Sequence, residues 1–414
     1  MRVAVIGAGV SGLASARYVQ EFNLECVVFE ARDSVGGTWI YTEEVPTDEY
    51  NVAFHANIYE SLRVNLPTQL MEYSGFKFEP KSGLNYPYHR EVLQYIKDFA
   101  EKFNLYPLIK FQHLVQHISR DGDGWKIIVK NLKNNRIDEE YFDAVMICNG
   151  HHAKPVCPCI PGLETFDGDQ KHSHYYKNNA PYKEKRILVV GCGPSGIDIC
   201  LECAQVYISC RSEKKPAISH DKVEIKPGIV RISSNSVMFV DKTVVEVDSI
   251  IFCTGFEFHF PFLDKSCGIE ISKNLIVRPL YKRFINILHP TMCFIGLVIK
   301  TVVFPLVDLQ AKVFMKHLSG QIDLPLIGSM LQSEEEEHGE KMEMNVPPSM
   351  YHFLGENMKS YFKDLASLGQ TEMLSEVHFK IYEKHKQTIA MNSGNTKKQI
   401  FKIIDDENFS WQLK

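Results

Sequence analysis

No apolar run in this chain reaches the roughly 18 residues that a membrane-spanning helix needs. Charge of neither sign dominates: a net charge of −5 and a pI near 6.4 give no electrostatic reason to expect nucleic acid or an anionic membrane as partner. No linker of low complexity interrupts the sequence. Strand-like "RVAVIG" begins at residue 2, leaving no room for a signal peptide ahead of it. The expectation is a cytoplasmic protein, the alternative a secreted one whose leader has been removed. Metal ligands at zinc-like spacing are also missing: "CPC" (Cys157, Cys159) and the C-x-x-C of Cys200 and Cys203 lack a second ligand pair. Eleven cysteines is an odd number, and Cys26, Cys148, Cys192, Cys253 and Cys293 lie in apolar stretches, the usage of small buried hydrophobes in a reducing compartment. Neither a Ser/His/Asp set nor a pair of catalytic carboxylates is recognisable.

What is present is an ordinary globular composition, 44% apolar and 23% charged over 414 residues, long enough for two domains with real cores. Two glycine loops organise it. The first, Gly7, Gly9 and Gly12 with Val10 and Ser11 between them, follows the strand "VAVI" and starts the helix "LASARYVQEF". A second strand, "ECVVFEAR", then ends in Glu30, Ala31 and Arg32. Glycines permit the tight turn and a close backbone approach, and the helix N-terminus offers N–H groups to a pyrophosphate. An acid at this distance accepts ribose hydroxyls. The turn "GGTW", with Gly37, Thr38 and Trp39, is another place where backbone can approach a flat ligand.

The second loop, Gly191, Gly193, Pro194, Ser195 and Gly196, follows "ILVV" and opens another helix. Its second strand, "VYISCRS", has no acid: laid on the first, Ser209 takes the place of Glu30, with Arg211 two residues on and Lys214 beyond. Removing the acid and supplying a cation converts a 2′-hydroxyl site into a 2′-phosphate site. The first cradle is therefore expected to hold FAD and the second NADPH.

"DAVMICNG", ending at Gly150, and "DSIIFCTG", ending at Thr254 and Gly255, form a faint repeat, each expected to be the closing strand of its own sheet beside a cofactor. The expected fold is α/β, with two Rossmann-like domains and the smaller NADPH domain inserted in the larger FAD domain. The boundaries read as 1–178, 179–271 and 272–414. In "REVLQYIKDFAEKF", Val92, Ile96, Phe99 and Phe103 share one helical face. "DGDGWKIIVKN" reads as a hairpin, and "SEEEEH" (333–338) as a solvated turn or loop.

Two dinucleotides on one chain imply electrons passed from nicotinamide to flavin. A disulfide reductase needs a redox cysteine pair beside the flavin, and the early helices offer none; a non-enzymatic dinucleotide sensor and an oxygenase remain. Between the cradles stand Phe166, Gly168, His172 and Tyr176 in "FDGDQKHSHYYK". Here the sequence resembles the flavin-containing monooxygenases, whose pattern is Phe-x-Gly-x-x-x-His-x-x-x-Tyr; the related Baeyer–Villiger enzymes place tryptophan where Tyr176 stands. The resemblance continues through "NLPTQLM" (65–71), "FCTGF" (252–256, with Phe256 for the family's tyrosine) and "VDLQAKVF", which contains Gln310. The long hydrophobic anchor of the mammalian enzymes is absent from the polar end "FSWQLK", and the chain looks more like insect members, some of which N-oxygenate plant pyrrolizidine alkaloids.

The resemblance implies an NADPH- and O2-dependent enzyme whose C4a-hydroperoxyflavin oxygenates a small tertiary amine or sulfide. The alternatives are a broad sulfide or amine oxygenase, a Baeyer–Villiger enzyme and a non-oxygenating flavin reductase. Asn65 is the candidate catalytic residue, since a neutral amide both donates to and accepts from a peroxide; the competing reading is that it caps the turn before Pro67. His172 is expected to position the interdomain loop rather than carry protons. Nothing in the sequence fixes the oligomeric state, and a homo-oligomer is compatible with it.

Overall fold

The computed structural model describes residues 1–43, 47, 50, 52, 57–212, 215–218 and 220–414. Two parallel-centred sheets organise them. The larger has seven strands in the order Leu280–Tyr281, Ile285–Asn286, Met292–Phe294, Ala144–Ile147, Arg2–Ile6, Glu25–Glu30 and Ile109–Phe111. The smaller has five: Val223–Lys226, Gln205–Ser209, Arg186–Val190, Ser249–Phe252 and Asp169–His172.

Both are built the same way, for the same physical reason. Strands buried on two faces read as continuous apolar runs of β-branched residues. Along the first strand, Val3 and Val5 face a core shared with the helices, while Ala4 and Ile6 face the antiparallel ribbon His113–Asp121, Gly124–Asn131 and Ile137–Phe142 through Trp125 and Ile127. In the second sheet Ile187 and Val189 face the helix Pro194–Glu202, and Leu188 faces a smaller ribbon through Ile232, Val237 and Phe239. Each full burial of such a side chain contributes about 1.5–3 kcal/mol.

The α/β duplication expected from the two glycine loops is present, and several details differ. Ala144–Ile147 and Ser249–Phe252 pair in parallel with the first strands of their sheets, but neither closes its sheet: Met292–Phe294 and Asp169–His172 lie beyond them. The inserted unit also begins and ends earlier than residues 179 and 271. Its edge strand Asp169–His172 precedes the expected start, and Phe258, Phe260 and Phe262 already pack in the core of the larger sheet. The edge strand escapes a sequence reading because "DQKH" is polar and mostly solvent-facing. The two passes between units run side by side, Lys154–Pro155 antiparallel to Phe256–Glu257.

The helix His89–Lys102 buries Val92, Ile96 and Phe99 completely, as its periodicity predicts, and Phe103 caps it half-buried. The hairpin in "DGDGWKIIVKN" is formed. By contrast, the acidic run at 333–338 is no loop. It lies within the helix Ile327–Glu343, where Glu334 pairs with Arg278 at 2.6 Å and Glu337 with Arg283 at 2.7 Å. Residues distant in sequence supply the cations, so the local charge pattern misleads. No helix among the described residues is long and apolar enough to cross a membrane.

Candidate active site and its two dinucleotide cradles

The first cradle is shaped by what cannot be added to it. A Cβ on Gly12 would sit 1.8 Å from the Gly7 carbonyl oxygen, and one on Gly7 (φ +102°) would sit 2.8 Å from the Cys148 carbonyl oxygen. Gly9 opens the helix Val10–Glu21, and the first intrahelical bond runs from Leu13 N–H to Gly9 O at 3.0 Å. The N–H groups of Val10, Ser11 and Gly12 thus belong to the first turn, which has no intrahelical acceptors and carries the positive end of the helix dipole. The "GGTW" turn closes over this end: Gly36 N–H donates to Ala8 O at 3.1 Å, and a Cβ on Gly9 would lie 3.4 Å from the Gly37 Cα. Thr38 and Trp39 follow in the same turn, half-buried.

Glu30 ends the second strand, buried. Its Oε2 accepts Ala8 N–H at 2.7 Å and its Oε1 accepts Arg32 N–H at 2.9 Å. Burial raises its pKa, while the amides of Ala8, Arg32 and Ala31 oppose the rise. Each carboxylate oxygen retains acceptor capacity for a ribose hydroxyl. Gly150, at φ +77° beyond the third strand, has open space above it. This close-packed, donor-rich turn with a carboxylate at its side fits the pyrophosphate and ribose of FAD.

The second cradle repeats the backbone. A Cβ on Gly196 would lie 2.0 Å from Gly191 O, and one on Gly191 (φ +109°) 2.5 Å from Cys253 O. Gly193 caps the helix, and Pro194 and Ser195 are exposed at its mouth. Strand register corrects the sequence alignment by one residue. Ile6 stands opposite Phe29 and Val190 opposite Ser209, so Cys210, not Ser209, occupies the place of Glu30. Counting residues could not reveal this, because the helix Pro194–Glu202 is shorter than Val10–Glu21. Ser209 is buried, and its hydroxyl donates to Pro227 O at 2.8 Å. Cys210 is joined to Cys192 in a disulfide, with Cα atoms 5.6 Å apart, in place of the Ala8–Glu30 contact. The expectation that Cys192 is a free buried thiol is therefore wrong; Cys26, Cys148 and Cys293 are free and buried, and Cys253 is free and half-buried.

No acid stands at the second position, and Arg211 follows it directly, exposed to solvent. Lys214 lies outside the described residues. An arginine–phosphate hydrogen bond is worth about 1.5–3 kcal/mol, so Arg211→Ala should weaken NADPH roughly ten- to hundredfold and leave NADH unchanged. Flavin reduction rates measured against both nucleotides check this; equal loss with both would make Arg211 structural.

Other expected residues fall into two groups. Gln310 is fully buried, and its amide is spoken for: Oε1 accepts Gly296 N–H at 2.9 Å and Nε2 donates to Tyr361 OH at 3.0 Å. Gly296 in turn lies against Ser11, whose Oγ would be 2.7 Å from an added Cβ. Gln310 thus braces the first cradle from behind. Thr254 Oγ1 donates to Val156 O, and Gly255 (φ +85°) accepts Val156 N–H at 2.9 Å, pinning the joint between units. Asn65 is exposed, and its side chain makes no hydrogen bond to the described residues; it does not cap the Thr68–Leu70 turn. Its segment is tied to the first cradle through Tyr73, whose hydroxyl donates to Val10 O at 2.8 Å.

A family model described as flavin-binding monooxygenase-like matches residues 1–214 and 211–380. The chain belongs to this flavin-binding monooxygenase family. It is 32% identical to the senecionine N-oxygenase of Tyria jacobaeae across 99% of this chain and 91% of that protein. It is 36% identical to the flavin-containing monooxygenase FMO GS-OX-like 1 of Arabidopsis thaliana, across 85% of this chain and 79% of that one. Among solved structures, S-allyl-L-cysteine S-oxygenase from Allium sativum superposes with a TM-score of 0.90 at 31% identity, covering 96% and 94% of the two chains.

As a flavin monooxygenase the chain is an enzyme that uses FAD and NADPH. The pattern that carries the resemblance proves architectural. Phe166 packs in the core of the inserted unit, Gly168 leaves no room for a side chain beside Asp248 O, and His172 ends the edge strand. Tyr176 is buried against Tyr59 and Tyr182 and donates to Glu202 Oε2 at 3.0 Å. Burial pulls the His172 pKa down to about 4, so the ring carries no charge at physiological pH. Its Nδ1 instead accepts His174 N–H at 3.1 Å. Sequence reasoning missed the ties that lock the C-terminal third to this joint. Lys397 reaches Asp198 at 2.5 Å, and Tyr59 OH donates to the same carboxylate at 2.8 Å. No local signal marks partners so far apart in the chain.

Proposed function

We propose that this enzyme adds one oxygen atom to the nitrogen of tertiary amines, pyrrolizidine alkaloids among them, at the expense of NADPH and O2. The observation that carries the reading is the pairing, in one chain, of a carboxylate-lined cradle for FAD with an acid-free, arginine-flanked cradle for NADPH. Likeness to a senecionine N-oxygenase along nearly the whole chain supports the amine. Bound flavin supplies the electrophilic oxygen. The chain does the rest. Gly7 to Gly12 and Glu30 hold the flavin's dinucleotide end, Gly191 to Gly196 and Arg211 hold the nicotinamide cofactor, and the Asn65 amide both donates and accepts at the reacting oxygen. No protein acid or base is required, in keeping with the neutral His172. The free thiols that make up most of the cysteine content favour a cytoplasmic location.

The second reading is oxygenation of a sulfide, favoured by the likeness to an S-oxygenase. One experiment separates them. Only an unprotonated amine has a lone pair to attack with, so kcat/KM for an amine should rise about tenfold per pH unit below the amine's own pKa. A sulfide has no such titration, and its profile should stay flat over the same range. Products identified by mass from a panel of alkaloids, simple amines, sulfides and ketones decide the substrate. Lactones or esters from the ketones, with no N-oxide, would overturn the amine reading.

A further inference from the structure

The inserted unit is joined to the larger one by two passes that run side by side, Lys154–Pro155 and Phe256–Glu257. Adjacent passes resist separation but leave a rotation open, so whatever fixes the angle between the units must act away from them. The helix Pro194–Glu202 is where the second hold lies. It begins at Gly193 in the second cradle, and Asp198 and Glu202, one turn apart, share a face. Gly196, Ile199 and Cys200 point the other way, buried in the inserted unit.

Asp198 Oδ2 accepts two hydrogen bonds from distant parts of the chain, Lys397 Nζ at 2.5 Å and Tyr59 OH at 2.8 Å. Glu202 accepts the Ser61 hydroxyl at Oε1 and Tyr176 OH at Oε2, 3.0 Å away. Lys397 is itself anchored to the larger unit. Its carbonyl accepts Arg63 Nη2 at 3.2 Å, and Arg63 Nε donates to Tyr86 O at 2.8 Å, a residue buried in the core of the first sheet and its helices. A parallel tie, Ser393 N–H to Ala217 O at 2.7 Å, crosses the same gap. The Lys397 and Asp198 side chains are only 22% and 13% exposed, so their attraction is screened far less than that of a surface pair. Tyr59 also packs in the core of the inserted unit. That apolar contact supplies adhesion without direction, whereas the carboxylate bonds have a preferred length and angle and set the orientation.

We infer that Lys397 and Asp198 are positioning residues whose bond sets the angle of the NADPH cradle to the FAD cradle, and with it the approach of nicotinamide to flavin. NADPH gives its hydride, two electrons with one proton, to FAD, and a misplacement of about 1 Å can cost such a step on the order of a hundredfold. Neither residue belongs to a glycine loop. Loosening the clamp should therefore slow flavin reduction and leave both cradles able to bind. The inference rests on the reading of the second cradle as the nucleotide site, and it holds whether the oxygen goes to an amine or a sulfide.

The test uses the FAD-loaded chain with Lys397→Met, which keeps the apolar stem, and Asp198→Asn, which keeps the shape. It reads flavin reduction at saturating NADPH without oxygen, the NADP+ dissociation constant by calorimetry, and hydrogen exchange in peptides spanning 393–398. Both variants should reduce their flavin about tenfold more slowly, the low end of what a charged hydrogen bond holds, with NADP+ affinity unchanged. Exchange at Ser393 should quicken, because its N–H is released when the units part. Lys397→Arg can donate to the same carboxylate and should restore most of the rate. Tyr59→Phe removes the second donor without altering charge; it too should slow reduction, and it keeps the test open if a charge variant fails to fold. Gly196→Val, whose side chain would meet Gly191 O, is the reference for the nucleotide site. If that variant still binds NADP+ normally, the reading of the second cradle fails and the inference with it. Unchanged reduction in Lys397→Met and Asp198→Asn overturns the positioning role, whatever the exchange shows. So does slower reduction without faster exchange, an NADP+ affinity that falls in step with the rate, or a Lys397→Arg protein as slow as Lys397→Met.

Discussion

Gly12→Val yields a folded protein without flavin colour. A Cβ at this position would stand 1.8 Å from the Gly7 carbonyl oxygen, far inside the ~3.5 Å at which non-bonded atoms rest. The clash is with backbone, so no rotamer change relieves it. Relief requires the helix Val10–Glu21 to move away from the loop, which pulls the Val10 to Gly12 N–H groups off the line where a pyrophosphate must sit. Visible absorbance relative to protein, with far-ultraviolet circular dichroism to verify folding, reads the outcome. Gly328→Ala, where nothing lies within 4 Å of the added carbon, serves as control and should stay yellow. A yellow Gly12→Val protein with normal flavin content would remove the first cradle from the account.

The second large effect belongs to Asn65→Ser. On the proposed reading the asparagine amide would offer donors and an acceptor to the reacting oxygen, whereas serine is shorter and would fall out of reach. Flavin reduction by NADPH precedes oxygen transfer and uses other residues, so its rate should stay close to that of the unaltered enzyme. Product should collapse and peroxide take its place, NADPH for NADPH. An oxyanion-type hydrogen bond lost in this way costs on the order of a hundredfold in transfer. Peroxide release and product formation followed in one stopped reaction decide it, and unchanged product per NADPH would assign the role to another residue.

Much of this fold is legible in the sequence because it is local. A glycine loop between an apolar strand and a helix carries its own geometry, and it occurs twice. The face of His89–Lys102 and the hairpin at Gly122–Gly124 are local in the same sense. What failed depended on partners far away. The acidic run at 333–338 reads as loop until Arg278 and Arg283 are seen beside it. Ser209 reads as the phosphate ligand until strand register places Cys210 at the acid position and turns the serine hydroxyl toward Pro227. The polar edge strand Asp169–His172 gives no apolar signal, so the inserted unit begins earlier than composition suggests.

The site divides along the same line. The two cradles are visible as short motifs, and their glycines fall where the backbone has no room for anything else. Gln310 was recognisable as part of a motif, but its bracing role appears only through Gly296 and Tyr361. His385 was invisible, since a lone histidine on a helix carries no message until its ring meets the Tyr86 hydroxyl, about three hundred residues earlier in the chain.

The central claim is that the two cradles serve a single oxygenation of an amine nitrogen. The most direct test incubates the FAD-loaded enzyme with NADPH, a pyrrolizidine alkaloid and isotopically heavy O2, and weighs the product against NADPH consumed. The account predicts an N-oxide carrying one heavy oxygen atom for each NADPH. Alkaloid recovered unchanged while NADPH is consumed, or an N-oxide without the heavy atom, would contradict it.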